Sequence, residues 1–475
     1  MSFIIKDLSY IHADKEILFS HLHLSINSGD KIALTGNNGC GKSTLMRILA
    51  GDLSPSSGTV LRPEHLYYVP QHFGQYDRQT IAQALGISHK LSALHAILSG
   101  DATEKHFNTL NDDWNVEERA QTSLDSWGLD GIPLSRPMEG LSGGEKTRIF
   151  LAGMELHNPT AILLDEPTNY LDADGRERLY NLIRRTSATV LVISHDRTLL
   201  NQLPAICELS SQGLTYYSGN YDFYKKQKTL QQNALTQQLE EKQKALRLAR
   251  KVAREVEERK AKQNVRGEKN SIKKGIPRIM MGALKNNAEN SSSRLSSIHA
   301  EKTEKLQAEM SGIKSSLPQT DKLKTDFNAS HLHVGKVLVK AKDVNFHYPS
   351  LAASPMETTR PEAVKELWSS SLTFQLRSGD RLSLKGKNGS GKTTLLKLIM
   401  GELHPTDGVM ERADFTSVYL DQEYSLVRNE RSVLQQAEAF NHRHLPEHEV
   451  KTILNRYLFP VSYTHLRAHE TKANL

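Results

Sequence analysis

Two segments of this chain, separated by a constant offset of 350 positions, carry closely similar sequences. Residues 28–58 read SGDKIALTGNNGCGKSTLMRILAGDLSPSSG and residues 378–408 read SGDRLSLKGKNGSGKTTLLKLIMGELHPTDG, with 15 of 31 positions identical. The similarity continues beyond them, since YVPQ at 68–71 corresponds to YLDQ at 419–422. Such self-similarity indicates an internal repeat, and it constrains the chain to fold as two copies of one domain.

Each copy contains the phosphate-binding pattern G-x-x-x-x-G-K-[ST]. In the first copy the pattern lies between the apolar run KIALTG and the helical run STLMRILAG. Its glycines let backbone N–H groups converge on phosphates, and the lysine would hold the β- and γ-phosphates. We therefore predict nucleotide binding by Gly36, Asn37, Asn38, Gly39, Cys40, Gly41, Lys42, Ser43 and Thr44, and by Gly386, Lys387, Asn388, Gly389, Ser390, Gly391, Lys392, Thr393 and Thr394.

The first copy also supplies two adjacent carboxylates. The segment AILLDEPTNYLD at 161–172 runs from apolar residues into Asp165 and Glu166, as expected of a buried strand that ends at an active site. We expect Asp165 and the Ser43 hydroxyl to bind Mg²⁺, and Glu166 to polarise the water that attacks the γ-phosphate. The Cys40 thiol lies at a helix N-terminus, which could lower its pKa. The preferred interpretation of Cys40 is a small residue at a permissive position.

With LSGGEKTR at 141–148 and SHD at 194–196, the chain resembles the ATP-binding cassette ATPases. The resemblance implies that LSGGE caps the nucleotide of the opposite cassette, that Gln71 senses Mg²⁺ and the attacking water, and that His195 contacts the γ-phosphate. It gives Glu166, His195 and Gln71 as catalytic residues. The residues implied for capping are Ser142, Gly143, Gly144 and Glu145. The residues implied for binding Mg²⁺ are Ser43, Gln71, Asp165, Thr393 and Gln422. Gln422 is also assigned to the second ATP site.

The aromatic ring that stacks on adenine stays open at this stage. Spacing allows Tyr10 or His12 in the first copy and Phe346 or Tyr348 in the second.

Between the copies, a basic segment predicts a helical hairpin. Residues 225–263 contain no proline or glycine, residues 264–293 carry Gly, Pro, Asn and Ser and read as a tip, and a helical pattern resumes over 294–314. Residues 225–325 hold 24 Lys+Arg against 11 Asp+Glu, a net charge of +13, whereas the whole chain has +7. A concentrated basic surface is typical of nucleic-acid binding, and we prefer that interpretation to a solvated spacer.

Two cassettes with a basic helical linker and EPTNYLD at 166–172 are similar to the ABC-F subfamily, which acts on ribosomes. The fold class is then α/β, with two P-loop ABC nucleotide-binding domains, the second incomplete, joined by a long α-helical hairpin linker. The resemblance implies an ATPase whose linker contacts ribosomal and transfer RNA. The alternatives are an energising subunit of a membrane transporter and a DNA-binding relative used in genome maintenance, since basic helices do not separate RNA from DNA.

The composition limits where in the cell the protein can be located. No run of 18 apolar residues occurs, and two cysteines cannot build a disulfide framework, so we expect no membrane domain and a cytoplasmic protein.

The expected organisation is a first cassette at 1–224, a linker at 225–330 and a second cassette at 331–460. Only 53 residues follow Gln422, too few for a second signature, aspartate and glutamate, so we expect a truncated second cassette. Residues 461–475, beginning VSYTHLRAHET, read as a non-native tail, the alternative being a divergent natural C-terminus. Such a chain is expected to bind Mg·ATP and to hydrolyse it poorly.

Overall fold

The computed structural model describes the chain except for residues 1–2, 13–14, 16, 102, 211, 274–292, 295–296, 299, 315–332, 334, 349–365, 421–425, 427, 429, 442–443, 458 and 460–475. Two compact units are present: Met1–Tyr221 together with Leu323–Leu475, and Asp222–Lys322. Gln422 and the predicted tail at 461–475 lie outside the described residues.

Both copies contain a three-stranded antiparallel sheet of the same design. Its strands are β1 (Phe3–Ile11), β2 (Ile17–Ile26) and β4 (Ser57–Leu61) in the first copy, and β10 (Val337–Asn345), β11 (Leu372–Arg377) and β12 (Asp407–Arg412) in the second. The strand orders are β2-β1-β4 and β11-β10-β12. Both middle strands shift register at an aspartate with left-handed backbone, Asp7 (φ 53°) and Asp343 (φ 49°). The repeat is therefore confirmed down to a local backbone irregularity.

A second, six-stranded sheet forms the core of the first cassette. It consists of β3 (Lys31–Gly36), β5 (Leu66–Val69), β6 (Ala161–Asp165), β7 (Thr189–Ile193), β8 (Ala205–Ser210) and β9 (Gly213–Tyr217). The order is β5-β6-β7-β3-β8-β9, with the first five parallel and β9 antiparallel to β8. Every residue of β6 and β7 is buried, because parallel strands covered on both faces are continuous apolar runs.

Helices pack against this sheet and against one another. The first cassette has α1 (Lys42–Ala50), α2 (Ile81–Ala84), α3 (Ser88–Leu98), α4 (Glu104–Leu110), α5 (Val116–Ser126), α6 (Gly143–His157), α7 (Ala173–Arg185), α8 (Arg197–Leu200) and a 3₁₀ turn at Gly74–Tyr76. Fully buried side chains of α1 pack with those of the strands in one apolar core, for example Leu45, Leu34 and Leu163. This packing fixes α1 directly behind the phosphate-binding loop.

The linker unit is helical, as the sequence predicts. Helix α9 spans Tyr221–Lys273, and α10 is described over residues 300–314. Lys242 Nζ of α9 lies 2.6 Å from Glu309 Oε2 of α10, so these two segments lie side by side. The predicted start of the tip at residue 264 is wrong, because α9 continues through Gly267. One glycine costs a helix only about 1 kcal/mol, which good helix formers around it offset. Most of the predicted tip lies outside the described residues.

The second cassette has helices α11 (Lys392–Met400), α12 (Val433–Ala439) and α13 (Glu447–Arg456). Residues 381–386, which correspond to β3, form no strand and are exposed. In the first cassette β3 lies between β7 and β8, whereas no described strand flanks 381–386. Without neighbours on either side, the apolar residues of a central parallel strand remain in solvent. No helix among those described is both long enough and apolar enough to cross a bilayer.

The repeat offers a matched test of this difference. Leu34 in β3 is fully buried, whereas Leu384 at the corresponding position is 47% exposed. We expect Leu34→Ala to lower the free energy of unfolding of the first cassette by about 2–5 kcal/mol. We expect Leu384→Ala to change the free energy of unfolding of the second cassette by less than about 1 kcal/mol. Urea unfolding followed by circular dichroism measures both. Equal losses for the two variants would contradict the structure of the second cassette.

Candidate functional site

The first phosphate-binding loop connects β3 to α1. Helix α1 begins after Gly41, whose φ of 94° lies in the left-handed region that favours glycine. The Lys42 ammonium group donates hydrogen bonds to the carbonyl oxygens of Gly36 (3.0 Å) and Asn37 (2.9 Å). The lysine thus folds over its own loop, with its charge beside the helix N-terminus where phosphates bind.

The second loop repeats this arrangement. Helix α11 begins after Gly391 (φ 82°), and Lys392 Nζ donates to the carbonyl oxygens of Gly386 (2.8 Å) and Lys387 (2.7 Å). A contact particular to this copy is the hydrogen bond between the Tyr348 and Thr394 hydroxyls, at 2.7 Å. The same lysine geometry therefore occurs in both loops, and nucleotide binding by them stays a prediction.

Two carboxylates stand at the carboxyl end of β6. Asp165 and Glu166 are both buried. Glu166 has a left-handed backbone (φ 49°), and its N–H donates to the Ile193 carbonyl at 2.9 Å. Non-glycine residues with such backbone concentrate at functional sites, where the surrounding structure holds them in place. The pairing of β6 with β7 therefore fixes the direction in which the chain leaves the strand.

His195 follows β7 and lies against Glu166. Its backbone N–H donates to Glu166 Oε2 at 3.3 Å, and its ring Nε2 is 3.3 Å from Glu166 Oε1, at an orientation that completes no hydrogen bond. Burial raises the pKa of Glu166, and the nearby charges of His195 and Lys42 oppose that rise. A carboxylate with a raised pKa is a stronger base than one with an ordinary pKa.

The Asp165 carboxylate is suited to an oxygen-preferring cation. Burial raises its pKa to about 6, although hydrogen bonds from the Ser43 and Tyr68 hydroxyls lower it in part. Its Oδ1 atom is buried and has no hydrogen-bond partner among the described residues. A buried, unpaired carboxylate oxygen beside a hydroxyl offers the donors that Mg²⁺ takes. The residues present therefore fit Mg²⁺, with Gln71 lining the same cavity.

A cavity of about 1450 Å³ contains this site. Its lining includes most of the first phosphate-binding loop together with Gln71, Asp165, Glu166 and His195. Tyr10 and His12 both line it, so the choice between them for adenine stays open. Residues of α12 and α13 line it as well, which brings the second cassette to the site of the first. In the second copy, Phe346 is buried in a core cluster and Tyr348 is 60% exposed.

The signature loop begins α6 through a reciprocal cap. The Ser142 hydroxyl accepts from the Glu145 N–H at 3.3 Å, and the Glu145 carboxylate accepts from the Ser142 N–H at 2.8 Å. This cap fixes the exposed N–H groups of the helix start. A Cβ atom at Gly144 would collide with the Asn388 amide, so the signature of the first cassette packs against the second phosphate-binding loop.

Asp172 and its neighbours hold that contact together, and the sequence did not single them out. The Asp172 carboxylate accepts from the Asn388 N–H and from Arg148, each at 2.9 Å. Burial would raise the pKa of Asp172, but these hydrogen bonds and one from the Gly175 N–H hold it below its usual value. Lys387 Nζ lies 2.7 Å from Asp174. An N-capping Asp before α7 was recognisable from the sequence, whereas its partner 216 residues away was not.

Cys40 does not have the environment of an activated thiol. Burial raises its pKa, and the Lys42 charge and backbone hydrogen bonds only partly oppose this. The lowered pKa considered from its place at a helix N-terminus is therefore wrong. The interpretation as a small loop residue is the one that its burial favours.

The second metal set is described only in part. Thr393 is exposed at the start of α11, and Gln422 lies outside the described residues. The first half-site has two buried carboxylates in the cavity of Lys42. No buried carboxylate is found among the described residues of the second cassette, so the two half-sites differ.

A phosphate-binding loop, a buried carboxylate pair and a capped signature helix on a mixed sheet define an ATP-binding cassette fold. Residues 19–169 and 369–474, more than half of the chain, match the family described as ABC transporter, and the chain belongs to that family.

Among its relatives, the putative ATP-binding protein YdiF of Bacillus subtilis is 26% identical over 94% of this chain and 65% of its own length. The uncharacterized ABC transporter ATP-binding protein YfmM of the same organism is 28% identical over 90% of this chain and 76% of its own. The tylosin resistance ATP-binding protein TlrC of Streptomyces fradiae is 28% identical over 84% and 72%. The chain thus spans about two thirds to three quarters of the length of these relatives.

The raised pKa of Asp165 predicts how the free energy of unfolding depends on pH. A folded pKa of about 6 against an unfolded value of 3.8 means that ionised Asp165 destabilises the unliganded fold, with the loss developing as pH rises from about 4 through 6. We expect Asp165→Asn to raise the free energy of unfolding by about 1–3 kcal/mol at pH 7.5 without nucleotide or Mg²⁺.

The control is the same pair of proteins at pH 4, where wild-type Asp165 is largely protonated and the gain should nearly vanish. Thermal unfolding by calorimetry measures both conditions. If Asp165→Asn is less stable than the wild type at pH 7.5, the ionised Asp165 carboxylate does not destabilise the fold, and the prediction is wrong.

Proposed function

We propose that this chain is an ABC-F type ATPase that binds Mg·ATP and acts on the ribosome, with the linker unit contacting RNA. The observation that carries the proposal is the basic helical unit inserted between two cassettes. The residues 225–325 hold a net charge of +13 in a chain of net +7. An RNA backbone is a polyanion that such a surface attracts.

The arrangement of α9 supports a role for its outer face. Leu246 is buried and Lys242 pairs with Glu309, so the face carrying these residues lies toward α10. Lys244, Arg247 and Lys251 follow a spacing of three and four residues, which places them together on a different face, and all three are exposed. They form a row of positive charge along the helix, and none of the three pairs with an acidic residue that the structure describes.

In the first cassette, the residues have separable roles in ATP hydrolysis. Lys42 and the loop N–H groups would hold the phosphates, and Ser43 and Asp165 would hold Mg²⁺, which neutralises phosphate charge. Glu166, with its raised pKa, would accept a proton from the attacking water, oriented by Gln71 and His195. Ser142 and Gly144 would cap ATP bound on Lys392; the close approach of Gly144 to Asn388 supports this role.

A role on the ribosome includes both a general translation factor and a protein that protects ribosomes from an antibiotic. The name of TlrC, a tylosin resistance protein, supports including the second. The transporter-subunit alternative gives no role to the basic unit. The DNA-binding alternative uses the same charges and is separated only by experiment.

The test reverses the row of positive charge on α9. We expect the triple change Lys244→Glu, Arg247→Glu and Lys251→Glu to weaken ribosome and structured-RNA binding and to reduce the slope of log affinity against log salt by about two to three. The matched control reverses three exposed charges of the first cassette, Lys105, Arg178 and Arg185. Co-sedimentation and fluorescence titration at several salt concentrations give both quantities.

Equal losses in the two triple variants would contradict a role for α9. Tighter binding to duplex DNA than to RNA would favour the genome-maintenance alternative, and recovery of the protein with membranes rather than ribosomes would favour the transporter alternative.

A further inference from the structure

The cavity of the first cassette receives residues from the second. Four of them follow the spacing of one helical face of α12: Val433, Gln436, Ala437 and Phe440. Immediately before this helix, Arg431 lines the same cavity, which also contains Lys42 and Glu166. One face of the second cassette's helical region therefore lines the cavity that contains the first phosphate-binding loop, and Arg431 adds a positive charge to it.

Comparison of the two copies shows that Arg431 replaces a neutral residue of the first copy. Helix α2 of the first cassette begins in a reciprocal cap between Thr80 and Gln83, and α12 begins in the same cap between Ser432 and Gln435. The residue before the cap is Gln79 in the first copy and Arg431 in the second. The chain thus has a neutral amide at one of two equivalent positions and a permanent positive charge at the other.

Arg431 is half-buried and its guanidinium makes no ion pair or hydrogen bond with any residue that the structure describes. Its backbone N–H is bonded to the Arg428 carbonyl at 3.1 Å, which fixes the turn. A guanidinium partly removed from water without an acceptor is unfavourable, and an anion in the cavity would relieve this. Phosphate groups match the paired N–H donors of arginine especially well.

We propose that Arg431 binds the phosphates of the ATP held by the first cassette's loop, as a contact supplied by the second cassette. This inference rests on ATP binding at the first site. Arg431 joins Lys42 around the phosphates and makes the site depend on both cassettes. It acts at a position distinct from the signature of the first cassette, which packs on the second loop. The contact favours ATP over nucleotides with fewer phosphates, because the Arg431 guanidinium binds the additional negatively charged phosphates.

The test measures nucleotide affinity in the full chain carrying Lys392→Ala, so that the first site reports alone. Mg·ATP and AMP are titrated by calorimetry against this background and against Arg431→Gln, which places there the residue type of the first copy. We expect the dissociation constant for Mg·ATP to rise about tenfold and that for AMP to change less than about twofold. Arg431→Lys should retain most of the affinity for Mg·ATP.

The control is Arg428→Gln, an exposed arginine three residues earlier that does not line the cavity, and it should leave both affinities unchanged. Thermal unfolding of each unliganded variant checks that the fold is intact. The inference is overturned if Arg431→Gln changes Mg·ATP affinity no more than Arg428→Gln, or weakens Mg·ATP and AMP alike. Failure of the Lys392→Ala background to bind Mg·ATP would remove the proposed ATP site itself, and this contact with it.

Discussion

The parallel pairing of β6, β7 and β3 is the constraint on which the site depends. Because parallel strands end at the same edge, this pairing brings the phosphate-binding loop after β3, the carboxylates after β6 and His195 after β7 into one cavity. The loop and His195 are more than 150 positions apart in the sequence, and the carboxylates lie between them. The burial that holds the strands together also raises the pKa of Asp165 and Glu166. One packing arrangement thus supplies both the geometry and the electrostatics.

The contact between cassettes depends on a second, smaller set of interactions. Asp172 caps α7, pairs with Arg148 and accepts from the Asn388 N–H, so one carboxylate links the first cassette's helix to the second loop. The close approach of Gly144 to Asn388 leaves no room for a side chain at the signature. The first cassette's signature and the second phosphate-binding loop are therefore held in direct contact.

The sequence predicted those parts of the fold that local pattern determines. The repeat located both loops, and the apolar run AILLD predicted a buried strand ending at Asp165, because both signals lie within a few consecutive residues. It did not predict that residues 381–386 form no strand, since strand formation there depends on neighbours far along the chain. Nor did it predict that α9 continues through Gly267, because the length of a helix is decided by the whole run of residues.

The site divides in the same way. Lys42, Asp165, Glu166 and His195 were recognisable from motifs, and the structure brings them together, while their roles in catalysis stay predictions. Asp172, Asn388 and Arg431 were not recognisable as partners of the opposite cassette, because only the folded chain brings the two copies into contact. The boundaries of the linker and the nature of the tail at 461–475 also stay predictions.

The most direct measurement is ribosome co-sedimentation of this chain carrying Glu166→Gln, with and without ATP. Loss of the base should leave ATP binding intact and remove any remaining hydrolysis, so we predict several-fold more Glu166→Gln protein in the ribosome pellet with ATP than without it. Adding Lys42→Ala should abolish that excess, because the trapped nucleotide is lost. Equal pelleting of Glu166→Gln with and without ATP, or an excess that survives Lys42→Ala, would contradict an ATP-controlled action on the ribosome.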